Sequence, residues 1–430
     1  MEYVDSIRLR EFQQVRKEIR GSDKYLIVGI DVAKERHNAF FGTATGRTLH
    51  KGVVFDNTIE GFRKLLALTE ALKVQYDLTK VIFGLEATAN YHKPLGEHLI
   101  KCGHVVVLVS AAAVKNNRQL LDGRWDKHDT KDAANVADLI SQGKCLYYEY
   151  PDPKIRDIRN LLSLKRRLKK EEHGLRVRIR NQLLAQYFPE MDRHFGPSVS
   201  LSVIRCCLDP SAIAGMQYDE FCRSVAPGKL NLSQQKRLQA IYQAAPESIG
   251  CRVGDAVPFE AQVMVSKLHQ VRETIKAVQD KIEYLCLVFP EYPYLLSIPG
   301  FGPDVSSKVL SAIGYSFRFT SSKQVLKMAG FDLCANRSGK TSNTATPVIS
   351  KQGKADLRYA LYQAALIASL SNKDFMTYYT NKLRGRQREK GIGTKMRVKL
   401  AAKLLVIAWT LIKKKEAFDP KYLNKGDTQV

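Results

Sequence analysis

Four carboxylates stand where they could act on a phosphate. Asp31 closes the apolar run YLIVGID, Glu86 closes KVIFGLE, and Asp129 and Asp132 lie three apart in KHDTKDAANVADL. Each has an ordinary explanation when taken singly. An aspartate after a strand is commonly a turn or cap residue, and DxxD at a helix start beside Lys127 and Lys131 is commonly a solvated face. Gathered together, however, four such groups repel one another unless cations sit among them, and hard oxygen donors of this kind suit divalent metal. Two Mg²⁺ ions about 4 Å apart would activate a nucleophile and stabilise a leaving oxygen at a phosphodiester. Asp126 is a fifth acid nearby, at the periphery of such a site.

Whether these acids can meet depends on the elements that carry them. Tyr25 to Asp31, His37 to Phe41 and Thr48 to Asp56 read as three strands joined by short connections, which most simply form an antiparallel meander. A helix over Ile59 to Val74, a buried strand over Lys80 to Leu85, a helix over Tyr91 to Cys102, a strand over His104 to Val109 and a helix from Asp129 to Ile140 follow. That order matches a ribonuclease H-like α/β layout, with helices covering a mixed sheet. In it the first and fourth strands are neighbours, so their C-terminal ends bring Asp31 and Glu86 together. Asp129 and Asp132 share one helix face. The first strand leads to IDVAK and not to a Gly-rich turn, which disfavours a dinucleotide-binding fold.

The 430 residues carry 68 Lys and Arg against 43 Asp and Glu, a formal charge of +25. Such an excess points to a polyanionic partner, nucleic acid first. With no signal peptide and no apolar run long enough to span a bilayer, no membrane partner is expected and the location read is cytoplasmic. The eight cysteines have neither CxxC spacing nor a nearby His pair, and read as reduced, mostly buried thiols.

Beyond residue 150 the pattern changes. Ile155, Ile158, Leu161, Leu162, Leu168 and Leu175 recur at helical spacing among dense charges, as do Val263, Leu268, Val271, Ile275, Val278 and Ile282 in a second stretch. These read as long amphipathic helices, either an antiparallel pair or a dimerising coiled coil, and equally well as a plain helical linker packed on the sheet domain. Residues 190 to 255 between them read as a small helical insertion. The expected fold is therefore α/β plus mainly α. Residues 1–24 form a peripheral helical extension, 25–150 the mixed-sheet catalytic domain, 151–290 the long helices with their insertion, and 291–430 a helical second domain.

GIDVAK, GLEAT and KHDTKDA, in that order, resemble the DEDD transposases of bacterial insertion sequences, the group of insertion sequence family 110 and the Piv-type DNA invertases. The resemblance implies a RuvC-like N-terminal domain in which Asp31, Glu86, Asp129 and Asp132 hold Mg²⁺. SIPGFGP, the Ser338-Gly339 dipeptide and the run from Ile349 to Arg358 resemble the C-terminal domain of the same enzymes. By that likeness Ser338 is the nucleophile that forms a transient phosphoserine link to DNA, with Ser342 and Ser350 as fallbacks. A serine before glycine is otherwise an ordinary loop residue. The turn at Gly300 and Gly302 resembles a helix-hairpin-helix, in which loop N–H groups hold phosphate, although PGFG alone is also an ordinary tight turn. Arg337, Gly339, Lys340, Lys351, Lys354 and Arg358 surround the serine in sequence and suit phosphate binding.

The resemblance further implies DNA partners, both element ends and target, and a structured noncoding guide RNA. Strand exchange between duplexes implies a homodimer or tetramer. Three other readings stay open: a protein-guided invertase, a RuvC-like nuclease using water as nucleophile, and a binding module with a decayed site.

Overall fold

The computed structural model describes every residue except Met1, Thr88, 123–128, 196–200, Pro227, 335–346 and 425–430; the side chains of some neighbours, Asp129 among them, also lie outside the description. The chain divides into two compact units, one comprising Met1–Asp152 with Tyr315–Thr320, the other Pro153–Gly314 with Ser321–Val430.

The first unit is built on six strands: β1 (Tyr25–Asp31), β2 (Arg36–Thr43), β3 (Thr48–Asp56), β4 (Lys80–Glu86), β5 (Val105–Val109) and β6 (Leu146–Tyr147). Their order is β3-β2-β1-β4-β5-β6. β1, β4 and β5 are mutually parallel, and the other pairs are antiparallel. The meander, the β1–β4 adjacency and the ribonuclease H-like layout read from the sequence are all present. Helices α1 (Glu2–Glu18), α2 (Ile59–Gln75), α3 (His92–Lys101), α4 (Ala111–Asp122) and α5 (Asp129–Ser141) complete the unit.

Side chains alternate between the faces of a strand, and each face has its own core. Leu26, Val28, Ile30, Phe83 and Leu85 pack with Phe62, Leu65, Leu95 and Leu99 from α2 and α3. Tyr25, Ile27 and Ile82 pack on the other side with Phe12 and Val15 of α1, Ile19 just after it, and Val114, Val136 and Ile140 from α4 and α5. The N-terminal helix is thus no peripheral extension. Phe12, Val15 and Ile19, at spacings of three and four, form an apolar stripe that its charged surroundings obscure in the sequence.

In the second unit α6 (Pro153–Arg178) and α7 (Ala256–Cys286) lie antiparallel, since Glu172 accepts from Arg272 at 2.9 Å while Lys165 meets Gln279 seven residues back on one helix and seven forward on the other. Four short helices, Leu201–Cys206, Pro210–Ala214, Tyr218–Val225 and Leu232–Ala244, make up the helical middle segment. Its core joins Ile204, Phe221 and Ile241 to Leu183 and Leu268. The apolar stripe of α7 runs through Ala261, Val265, Leu268, Val271, Val278 and Ile282, so Val263 falls off its phase and is exposed.

Helices α8 (Pro303–Ile313), α9 (Ser322–Ala329), α10 (Ala355–Ser371), α11 (Lys373–Leu383) and α12 (Ile392–Lys414) follow, with the short helices Tyr292–Leu296 and Lys421–Asn424 and the two-stranded pair β7 (Leu333–Cys334) and β8 (Val348–Ile349). All eight cysteines are free thiols, but only Cys145, Cys207 and Cys286 are buried, while Cys102, Cys251 and Cys334 are exposed. No helix among the described residues is long and apolar enough to cross a membrane.

Candidate active site

β1 and β4 pair in register from Tyr25↔Lys80 to Ile30↔Leu85, which puts Asp31 and Glu86 level with each other at the next step. Because Ile30 and Leu85 point into the α2–α3 core, alternation turns Gly29, Asp31, Gly84 and Glu86 to the opposite face, the one covered by α5.

Two of those residues are glycines for a reason. Gly29 and Gly84 are a register pair, and together they form a notch under the helix. A Cβ on Gly29 would press on the Ala133 carbonyl oxygen and lie 2.6 Å from the Ala137 nitrogen, while one on Gly84 would run into Ile140 Cδ1. Arg20 Nε donates to the Gln142 carbonyl at 2.8 Å, tying the end of α5 to the residues just before β1. The helix therefore runs antiparallel to β1, with Ala133 against Gly29 and Ile140 against Gly84, which sets its first turn, with Asp129 and Asp132, toward the Asp31 end of β1.

Asp132 is 2% exposed. A carboxylate so placed needs a cation, and Arg118 of α4 supplies one through Nε and Nη2, at 2.8 and 2.7 Å from the same Oδ1. A polar seam fixes α4 against α5. Asn117 Nδ2 donates to Asn135 Oδ1 and Asp138 Oδ2, both at 2.7 Å, and Asn135 Nδ2 donates to the Val114 carbonyl at 2.7 Å. Arg118 went unrecognised in the sequence because KNNRQLLD has the look of a solvated helix.

His37 lies behind the Asp31 strand end, fully buried between Phe55 and Phe62. Its Nδ1 accepts from the Ala33 N–H at 3.3 Å, and its Nε2 meets no hydrogen-bond geometry among the described residues. Burial pushes the imidazole pKa below its ordinary value, against a smaller upward pull from Asn57.

Among the described residues no three His, Cys, Asp or Glu side chains gather closely enough to hold an ion, and the Asp129 side chain lies outside them. The donor chemistry does fit Mg²⁺. The candidate ligands are all hard oxygens, and Asp132 is a buried carboxylate that already takes a cationic partner.

In the second unit Ser338, Arg337, Gly339, Lys340 and the fallback Ser342 lie outside the described residues. β7 and β8, on either side of that stretch, pair antiparallel through Leu333↔Ile349 and Cys334↔Val348. The other fallback, Ser350, has its hydroxyl committed: it donates to Asp332 Oδ1 at 2.5 Å and accepts from the Gln352 N–H at 3.2 Å. Arg358 Nη1 donates to the Ala329 carbonyl at 2.8 Å, which gives it a packing role over Gly330. Lys351 and Lys354 are exposed. Gly300 has φ +87°, and a Cβ there would strike the Ala364 carbonyl of α10; Gly302 faces open space at the start of α8.

Sheet order, register and strand-end acids define a ribonuclease H-like α/β unit joined to a helical one. Residues 28–189 match the DEDD transposase model of the IS110 type, and residues 292–380 match the model described as the transposase IS116/IS110/IS902 family. The chain is also 23% identical over 400 residues, 91% of its own length and 95% of the relative's, to the "Insertion element IS110 uncharacterized 43.6 kDa protein" of Streptomyces coelicolor A3(2). The protein belongs to the IS110 family of insertion-element transposases, enzymes that cut and rejoin DNA.

Proposed function

We propose that this transposase cuts and rejoins DNA with two sets of groups: Asp31, Glu86, Asp129 and Asp132, which hold Mg²⁺, and Ser338, the nucleophile. The observation that supports the acidic half is the register match of Asp31 and Glu86 on the sheet face covered by α5. When bound, the metal supplies charge neutralisation at the phosphate and lowers the pKa of a coordinated hydroxyl.

The serine half rests on the resemblance: the Ser-Gly dipeptide falls in sequence between β7 and β8, and the Ile-Ser-Lys run begins in β8. Ser338 Oγ would lose its proton and attack phosphorus, a P–O bond to one DNA end would break, and that oxygen would leave as a hydroxyl. The phosphoserine ester keeps the energy of the broken bond, so the reverse attack by a different DNA hydroxyl joins a new partner without a nucleotide cofactor. A structured noncoding RNA from the element would direct both duplexes by base pairing, while the protein's basic surface holds backbone. Exchange between two duplexes calls for a homodimer or tetramer.

The test incubates the protein with Mg²⁺, co-purified RNA and labelled element-end DNA, then denatures it and looks for label on the protein. A covalent adduct lost in both Ser338→Ala and Glu86→Gln is the expected result. Cleavage without adduct, indifferent to Ser338→Ala, would replace this reading with a nuclease that passes the phosphate to water.

A further inference from the structure

Away from the carboxylates, the second unit contains a groove of about 590 Å³ between α6, α8 and the start of α10. Arg159, Lys165, Arg166, Lys169, Lys308 and Lys354 line it. Of the lining side chains six are cationic and one, Asp356, is anionic. Asp304 is shared by Lys165 and Lys308 at 2.5 and 2.6 Å, and Asp356 meets Arg166 at 3.2 Å. The lining is therefore rich in cationic side chains.

Part of that charge is held in place. Arg159 Nε donates to the Ser311 carbonyl at 2.8 Å, and Lys165, 7% exposed, is fixed between Asp304 and Gln279. Arg159, Arg166 and Lys169 recur at spacings of seven and three along one face of α6, a row about 15 Å long. The start of α10, from Lys354 to Leu357, lines the same groove, and its N-cap residue Lys354 makes no side-chain cap bond to the first turn.

At the rim stands Tyr359, 67% exposed, a large aromatic ring that no core explains. A groove for duplex backbone needs only the cations, because in a duplex the bases are stacked on one another and cannot reach a rim ring. A cationic track beside an open aromatic platform is instead what a single strand requires.

We propose that this groove binds single-stranded polynucleotide, with phosphates along the α6 row and the first turn of α10 and an unpaired base stacked on Tyr359. The site serves the strand handling of the proposed function and rests on that reading; it contains none of the four carboxylates and not Ser338, although Lys354 is one of the phosphate-binding candidates near the serine in sequence, and binding to it can be tested without catalysis.

The experiment measures fluorescence anisotropy of labelled oligothymidylate, oligouridylate and a mixed-sequence duplex on full-length Glu86→Gln protein, which does not need to cut. Tyr359→Ala should weaken at least one single strand about ten- to hundredfold and leave the duplex within about twofold, with Tyr359→Phe restoring binding. Whichever homopolymer suffers more identifies the sugar that the groove accepts. Replacing Arg166 and Lys169 by Gln should flatten the salt dependence of single-strand binding by roughly 0.7 per lost phosphate contact. Tyr359 is a surface residue, so loss of fold is checked simply by circular dichroism. Equal losses for duplex and single strands in Tyr359→Ala, or no loss for either, would overturn the proposal.

Discussion

The glycine notch under α5 makes a prediction that separates two superficially similar substitutions. In Gly29→Ala the new methyl meets backbone, the Ala133 carbonyl oxygen and the Ala137 nitrogen at 2.6 Å, where ordinary contact begins near 3.4 Å. The helix must withdraw by roughly 1 Å, and Ala133, Val136, Ala137 and Ile140, all buried, lose contact with the sheet. Overpacking of this kind costs about 1–3 kcal/mol, or roughly 2–10 °C in melting temperature for a unit of this size. Alanine in an unstrained strand would otherwise stabilise by about 0.4–1 kcal/mol, so the sign of the change is itself diagnostic.

The same withdrawal shifts the proposed ligands Asp129 and Asp132, and if they act as proposed a misplacement of about 1 Å in such a group can lower the rate about 10²-fold. In Gly84→Ala the obstacle is Ile140 Cδ1, the tip of a flexible side chain. Adding Ile140→Val deletes that methyl and should recover most stability and activity. Thermal melts and cleavage of labelled element-end DNA measure both quantities. The reasoning fails if Gly29→Ala melts and cuts like the parent, or if Ile140→Val rescues Gly29→Ala as well as it rescues Gly84→Ala.

Other outcomes follow from the same structure. Asp132→Ala strands the Arg118 guanidinium, and because that side chain is 23% exposed the cost should be about 1–3 kcal/mol, below the range for a fully buried pair. Arg118→Met combined with Asp132→Leu should regain stability but not activity; additive losses in that double-mutant cycle would argue against a direct pair. His37 is held below its ordinary pKa of about 6.5, so the unfolded chain takes up the proton first, and stability should fall as pH drops through that value. Urea midpoints between pH 8 and 5 should show this slope flattened in His37→Gln, and an unchanged slope would assign it to another group. Ser350→Ala removes the hydroxyl between Asp332 and the Gln352 N–H and should cost about 1 kcal/mol while still forming the covalent adduct, whereas loss of adduct without loss of fold would move the nucleophile from Ser338 to Ser350.

The sheet was the most legible part of the sequence because its signal is local. Alternating or continuous apolar runs bounded by turns mark β1 through β5, and the acids at the ends of β1 and β4 inherit their positions from those strands. Contacts made across long sequence separations left no such mark. Arg118 meets Asp132 only because α4 and α5 are locked by asparagines, and Lys165 lies in KRRLKK, a run that reads as solvated surface, yet it is nearly buried. Its pKa is driven down by that burial, against the hydrogen bond and charge of Asp304. Val263 shows the limit of counting apolar residues without their phase. Gly300 shows that a glycine in a motif can be required by packing against Ala364, whatever the loop binds. Ser338 came from resemblance alone, since nothing about a serine before a glycine predicts reactivity.

The antiparallel course of α6 and α7 has a consequence for how such a chain can grow. Their far ends are bridged by the segment from about 190 to 255, which closes a hydrophobic core of its own around Phe221 and Ile241 and draws Leu183 and Leu268 into it. Material can therefore be gained or lost at that tip without changing the register of the helices, which is set by pairs further along, such as Glu172 with Arg272. The tip acts as a socket into which sequences of different length can be fitted, provided that each brings enough apolar surface to cover Leu183 and Leu268.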